Sequence, residues 1–163
     1  MMRYPSENWF ARFMTLIGAL MLSVVPLPEA VAPFRPDWVA VLLLYWVLIA
    51  PRRLGLLTAF WMGLALDTLS GALLGQHALA LLLVVYLSQR FYLRIRVFPA
   101  SQLVLTAAAL LSFYEFLLFW IDGVVGRTVP AIERWAPVIS GTILWIVLIA
   151  FVERDRQQAE ARM

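Results

Sequence analysis

GLALDTLSGALLGQHA, residues 63–78, sets an aspartate between two glycines in one of the most apolar parts of the chain. Asp67 follows Gly63 by four residues and precedes Gly71 by four, so on a helix all three share one face. A carboxylate in such a stretch is tolerable only with particular surroundings. The composition of the rest of the chain says what those surroundings are.

Hydrophobic residues make up 63% of the 163 residues, charged residues 14%, and the mean hydropathy is +0.85. This is more apolar surface than a soluble domain of this size can bury, so the expectation is a bilayer. All 13 basic residues are arginines, placed in ones and twos between long apolar runs, a spacing that argues against nucleic acid. The chain has no cysteine and one histidine, which leaves little for a metal site, and no cofactor is implied. The first apolar run, FMTLIGALMLSVV, precedes an Ala30-Val31-Ala32 that resembles a signal cleavage site. Pro33 directly after the cut is a poor fit, and the run is read as a retained helix.

Six apolar segments suffice for membrane spans, at residues 9–27, 36–50, 54–70, 76–91, 99–121 and 134–152. Pro26, Pro28 and Pro33 end the first, Pro51-Arg52-Arg53 the second, and Gly71 with Gly75 the third. Pro36 suits a first helical turn, with Asp37 behind it complementing the positive helix end. Pro137 suggests a later start for the sixth helix. Placing the N-terminus inside puts ten arginines in the cytoplasm and leaves Arg35, Arg127 and Arg134 outside. Both termini are then cytoplasmic, and residues 1–163 form a single six-helix transmembrane domain. SQRFYLRIR reads as an interfacial helix end, and the tail ERDRQQAEARM as a polar helix extension with Arg156 and Glu160 one turn apart.

At 1.5 Å per residue, Asp67 rises roughly 20 Å from the cytoplasmic start of helix three, and Glu115 roughly 24 Å from that of helix five. Both acids fall in the outer third of the bilayer, on the side of Arg35, Gln76 and His77. Asp67, Ser70 and His77 are the residue types of a hydrolytic triad, but no strand-to-helix elbow or oxyanion motif accompanies them. An acid pair of Asp67 with Glu115 has no supporting spacing. Metalloprotease, Walker and Rossmann patterns are absent. The non-enzymatic readings are a transport site at Asp67 or a structural polar group, with Gly63 and Gly71 letting helices approach closely.

FRPDWVAVLLLYWVLIAPRR followed by GLALDTLSGALLGQHAL resembles the rod shape-determining protein MreD family, most densely over residues 34–79. Arg35, Pro36 and Trp38 match a first motif, and Gly63, Asp67, Gly71 and Gly75 a second. The resemblance implies an all-α integral membrane protein of the inner (cytoplasmic) membrane, with six transmembrane helices, N-in and C-in. It further implies similarity to the substrate-binding membrane subunits of energy-coupling-factor transporters. The implied role is a non-catalytic scaffold of the cell-elongation machinery that organises peptidoglycan synthesis. Its partners are MreC directly, and MreB, the glycosyltransferase RodA and a penicillin-binding transpeptidase indirectly. The runner-up is a small-molecule-binding subunit of such a transporter, which calls for an enclosed polar pocket, whereas a scaffold calls for polar groups already paired.

Two site expectations follow. Asp67 is ionised and held near Arg35 and the start of helix four, with Glu115 at similar depth. An outer face containing Ala107, Ala108 and Ser112, or Ser140 and Gly141, receives the MreC helix, because close approach in lipid depends on small side chains.

Overall fold

The computed structural model describes residues 9–49, 55–95 and 97–160, and among them it is helical with no strand. The helices are α1 (Trp9–Val24), α2 (Trp38–Ile49), α3 (Leu56–Ser70), α4 (Gln76–Arg90), the single turn α5 (Tyr92–Ile95), α6 (Ala100–Val125) and α7 (Ala131–Glu160). A 3-10 turn, Ala32–Phe34, precedes α2. Each of the six apolar segments thus contains one long helix. Over Ala100–Val125 and Ile132–Phe151 the helices are long and apolar enough to cross a bilayer.

The sequence of α2, WVAVLLLYWVLI, has no polar stripe, and such a helix belongs where protein surrounds it. It packs against α1, α4, α6 and α7, and Val39, Val41, Leu43, Leu44 and Val47 are buried. The bundle is apolar outside as well: Leu105 is 71% and Val124 75% exposed, while the charged Asp67 is 1% exposed. A surface of leucine and valine around buried carboxylates is the polarity expected in lipid, where apolar side chains face the solvent.

Several boundaries differ from the sequence reading, and three of them bear on the site. Helix α6 continues past Ile121 because Asp122 faces inward; it stops at Gly126, whose φ of 78° and N–H bond to the Asp122 carbonyl close the helix. Helix α7 begins at Ala131, directly after Pro130, so Pro137 lies inside it. One proline near a helix start removes one ladder bond, which the rest of a 30-residue helix tolerates. Helix α2 begins at Trp38, leaving Pro36 and Asp37 just ahead of it. Arg3, Arg52, Arg53, Arg96 and Arg162, on which the orientation partly rests, lie outside the described residues, as does the side-chain pairing of Arg156 with Glu160.

Candidate functional site: a buried polar chain at one end of the bundle

Gly63 is where α3 and α4 touch most closely. A Cβ there would lie 2.2 Å from the Ala78 Cα and 2.5 Å from its amide nitrogen, so only glycine fits. That approach carries Asp67, one turn further along α3, to the N-terminus of α4. The turn between the helices needs positive φ at Gly71 (64°) and Gly75 (97°), a conformation glycine adopts without penalty.

Asp67 then acts as an N-cap supplied from a neighbouring helix. Its Oδ2 accepts the Gly75 N–H at 2.8 Å and its Oδ1 the His77 N–H at 2.9 Å, with His77 Nδ1 2.7 Å from the same Oδ1. The first N–H groups of a helix have no partner within it, and an acid there also meets the positive end of the helix dipole. The Ser70 hydroxyl is taken up by the Leu66 carbonyl at 2.6 Å and does not extend this pair into a triad.

Gln76, the first residue of α4, begins a second set of links. Gln76 Nε2 donates to Asp122 Oδ1 at 2.9 Å, the Arg134 guanidinium binds Asp122 Oδ2, and its Nη1 lies 3.3 Å from Glu115 Oε2. All four side chains are buried. Asp37, ahead of α2, stands near the Glu115 carboxyl. Through these groups α4 is joined to α6 and α6 to α7. Tyr114, one residue before Glu115, is completely buried with its ring 6.3 Å from the His77 ring.

Arg35 takes a different place from the expected one. Its guanidinium donates to the Ser23 and Val25 carbonyls, capping the free C-terminal carbonyls of α1, and among the described hydrogen bonds it does not reach Asp67. Arg35 directly follows the 3-10 turn, which reverses the chain and lets the side chain reach back to the end of α1. The expected partner for Asp67 is thus replaced by the backbone of α4 and by His77. Glu115 and Asp67 are likewise not paired with each other; each has its own partners. Pro36 and Trp38 position the entry to α2, with the Trp38 N–H bonded to the Pro36 carbonyl at 2.9 Å.

The small residues expected on one outer face are divided. Ala107 is fully buried, and a Cβ on Gly141 would meet Leu111 at 3.1 Å and Val41 at 3.2 Å, so both serve packing within the bundle. Ala108, Ser112 and Ser140 are partly exposed, and the Ser140 hydroxyl is held by the Ala136 and Pro137 carbonyls. Helix rotation decides this: neighbours at 100° steps cannot all face outward.

Asp122 and Arg134 were not among the residues singled out from the sequence. A signal was available for Asp122, which lies two turns after Glu115 on the same face of α6. The sequence reading sets Arg134 on the outer side at the start of the sixth span, yet its side chain is buried. Three buried polar atoms have no partner among the described residues: the Tyr114 hydroxyl, Arg134 Nε and Trp145 Nε1. No group of three His, Asp or Glu side chains among the described residues is arranged to hold a metal ion.

Comparison with known proteins supplies a family. The family model described as rod shape-determining protein MreD matches residues 6–154. The rod shape-determining protein MreD of Haemophilus influenzae (strain ATCC 51907 / DSM 11121 / KW20 / Rd) is 34% identical over 89 residues, 55% of this chain and 55% of that relative. The chain therefore spans about half the length of the curated relative it matches. No solved structure matches.

Proposed function

Because the chain belongs to the rod shape-determining protein MreD family, with a role in rod shape determination, we propose that it is a non-catalytic scaffold of the inner membrane that binds MreC and helps organise lateral peptidoglycan synthesis. The observation that carries this reading is the polar chain itself. Asp67, His77, Gln76, Asp122, Arg134 and Glu115 are taken up by one another and by backbone N–H groups within the bundle. Groups paired in this way stiffen a platform, and a substrate would have to displace partners already in place. In the proposed arrangement all six long helices cross the membrane, both termini face the cytoplasm, and the polar chain lies near the outer surface. MreB, RodA and a penicillin-binding transpeptidase are reached through MreC.

Mass spectrometry of proteins that co-purify with the chain from detergent tests the partner assignment. Recovery of MreC in constant proportion is the expected result, and its absence under conditions that keep the bundle folded would contradict it. For the topology, a reporter active only in the periplasm should be silent when fused after Met163; a bright fusion overturns the six-span arrangement.

The transporter-subunit reading is favoured by one observation, the hydroxyl of the fully buried Tyr114 beside the polar chain, which has no partner among the described residues. A small molecule that co-purifies with the wild type and is lost in Tyr114→Phe would move the assignment to that class.

A further inference from the structure

The opposite end of the bundle holds an open cleft of about 470 Å³ between the last turn of α4, α5 and the first half of α6. Leu87, Phe91, Phe98, Leu105 and Ala109 make its walls apolar, and Arg94 stands among them. The one other polar side chain in the lining, Thr106, is occupied by the Gln102 carbonyl at 2.7 Å. The Arg94 side chain is exposed and makes no ion pair or hydrogen bond among the described residues, and the same holds for Arg90 one turn earlier. The cleft therefore offers an apolar trough with a guanidinium unpaired among the described residues.

We propose that this cleft binds an anionic phospholipid, with one acyl chain in the trough and the phosphate on Arg94. The size lies within the roughly 300–1,000 Å³ typical of sites for a single small ligand. Charge complementarity selects the occupant, since a guanidinium presents its donors in a fork matched to phosphate oxygens. A partner helix fits less well, because close helix packing in lipid needs small side chains and, Ala109 and Thr106 apart, these walls are large side chains. The inference rests on the membrane reading above, and the proposed orientation places the site in the cytoplasmic leaflet. Binding in detergent does not depend on that orientation, and the reporter fusion does not depend on lipid, so the two fail separately.

The test is native mass spectrometry of the full chain in detergent, titrated with phosphatidylglycerol or phosphatidylcholine carrying identical acyl chains. The wild type should retain phosphatidylglycerol in preference, by about fivefold for one arginine at the headgroup. Arg94→Gln should erase the preference and Arg94→Lys keep most of it. Ala109→Phe, which fills the trough, should reduce binding of both lipids. Equal binding of the two lipids by the wild type, an undiminished preference in Arg94→Gln, or unchanged binding in Ala109→Phe would each overturn the proposal. Inorganic phosphate added alone should leave bound lipid in place; displacement by it would mean that the headgroup contact acts without the trough, and would also overturn it.

Discussion

The two ends of this bundle treat charge in opposite ways. At the end where α3 turns into α4, buried acids and one buried arginine are tied helix to helix, and Arg35 closes the end of α1. At the other end, beside an apolar cleft, Arg90 and Arg94 make no ion pair or hydrogen bond among the described residues, and Arg12 rests on the Trp46 ring, 5.3 Å from its centroid. In a low dielectric an unpaired charge is costly, so charge inside the bilayer must be internally satisfied, while charge at the headgroup layer can be left for lipid or water. The first end is built to hold a shape; the second has donors to offer.

If the first end is the rigid one, the largest loss should come where its geometry begins. Gly63→Leu places a side chain into the α4 backbone and should remove folded protein from detergent extracts altogether, by the overpacking that makes core insertions exceptional in effect. Recovery of normally melting Gly63→Leu protein would break the contrast at its origin.

Arg134→Leu comes next. It leaves the Asp122 and Glu115 carboxylates buried without their cation, and removing one member of a buried charged set typically destabilises by about 3–5 kcal/mol. Replacing Asp122 and Arg134 together by leucine should recover part of the loss in thermal melting, because paired removal leaves fewer uncompensated groups. A double variant that melts below Arg134→Leu would show that Asp122 is held mainly by Gln76.

Arg35→Leu uncaps α1 alone and should lower stability by about 1 kcal/mol, the size of a lost cation at a helix C-terminus. Combining it with Asp67→Leu should give no rescue, since the two side chains serve different helices. Arg94→Gln, at the other end, should leave the melting temperature where it was and change lipid preference only.

Much of the polar end was legible in the sequence because it is local. Gly63, Asp67, Gly71 and Gly75 lie within thirteen residues, and a carboxylate beside a glycine-framed turn has the next helix start within reach by covalent geometry alone. The long helices were legible for a similar reason, since apolar runs punctuated by proline and glycine encode them residue by residue. The partner of Arg35 and the Asp122–Arg134 link were not, because they depend on how helices rotate and tilt against one another. Hydropathy also misled at Ile121: it reads Asp122 as the end of a span, when an inward-facing acid with partners lets the helix continue to Gly126. The cleft at the arginine end was visible only as an interfacial arginine pattern, since a groove between α4 and α6 has no local signature.

The central claim is that Asp67 is a structural clasp whose partners are the start of α4 and His77. A double-mutant cycle of Asp67→Ala, His77→Ala and the pair, followed by thermal melting in detergent, tests it most directly. Asp67→Ala orphans two N–H donors, each costing about 1–3 kcal/mol when buried, so it should melt well below the wild type. His77→Ala should have a smaller effect, and the double variant should be little worse than Asp67→Ala alone, with a coupling within the roughly 0.5–3 kcal/mol seen for groups in contact. Wild-type melting in Asp67→Ala, or strict additivity across the cycle, would contradict the clasp, and in cells that also lose rod shape it would make the carboxylate a group reserved for a ligand.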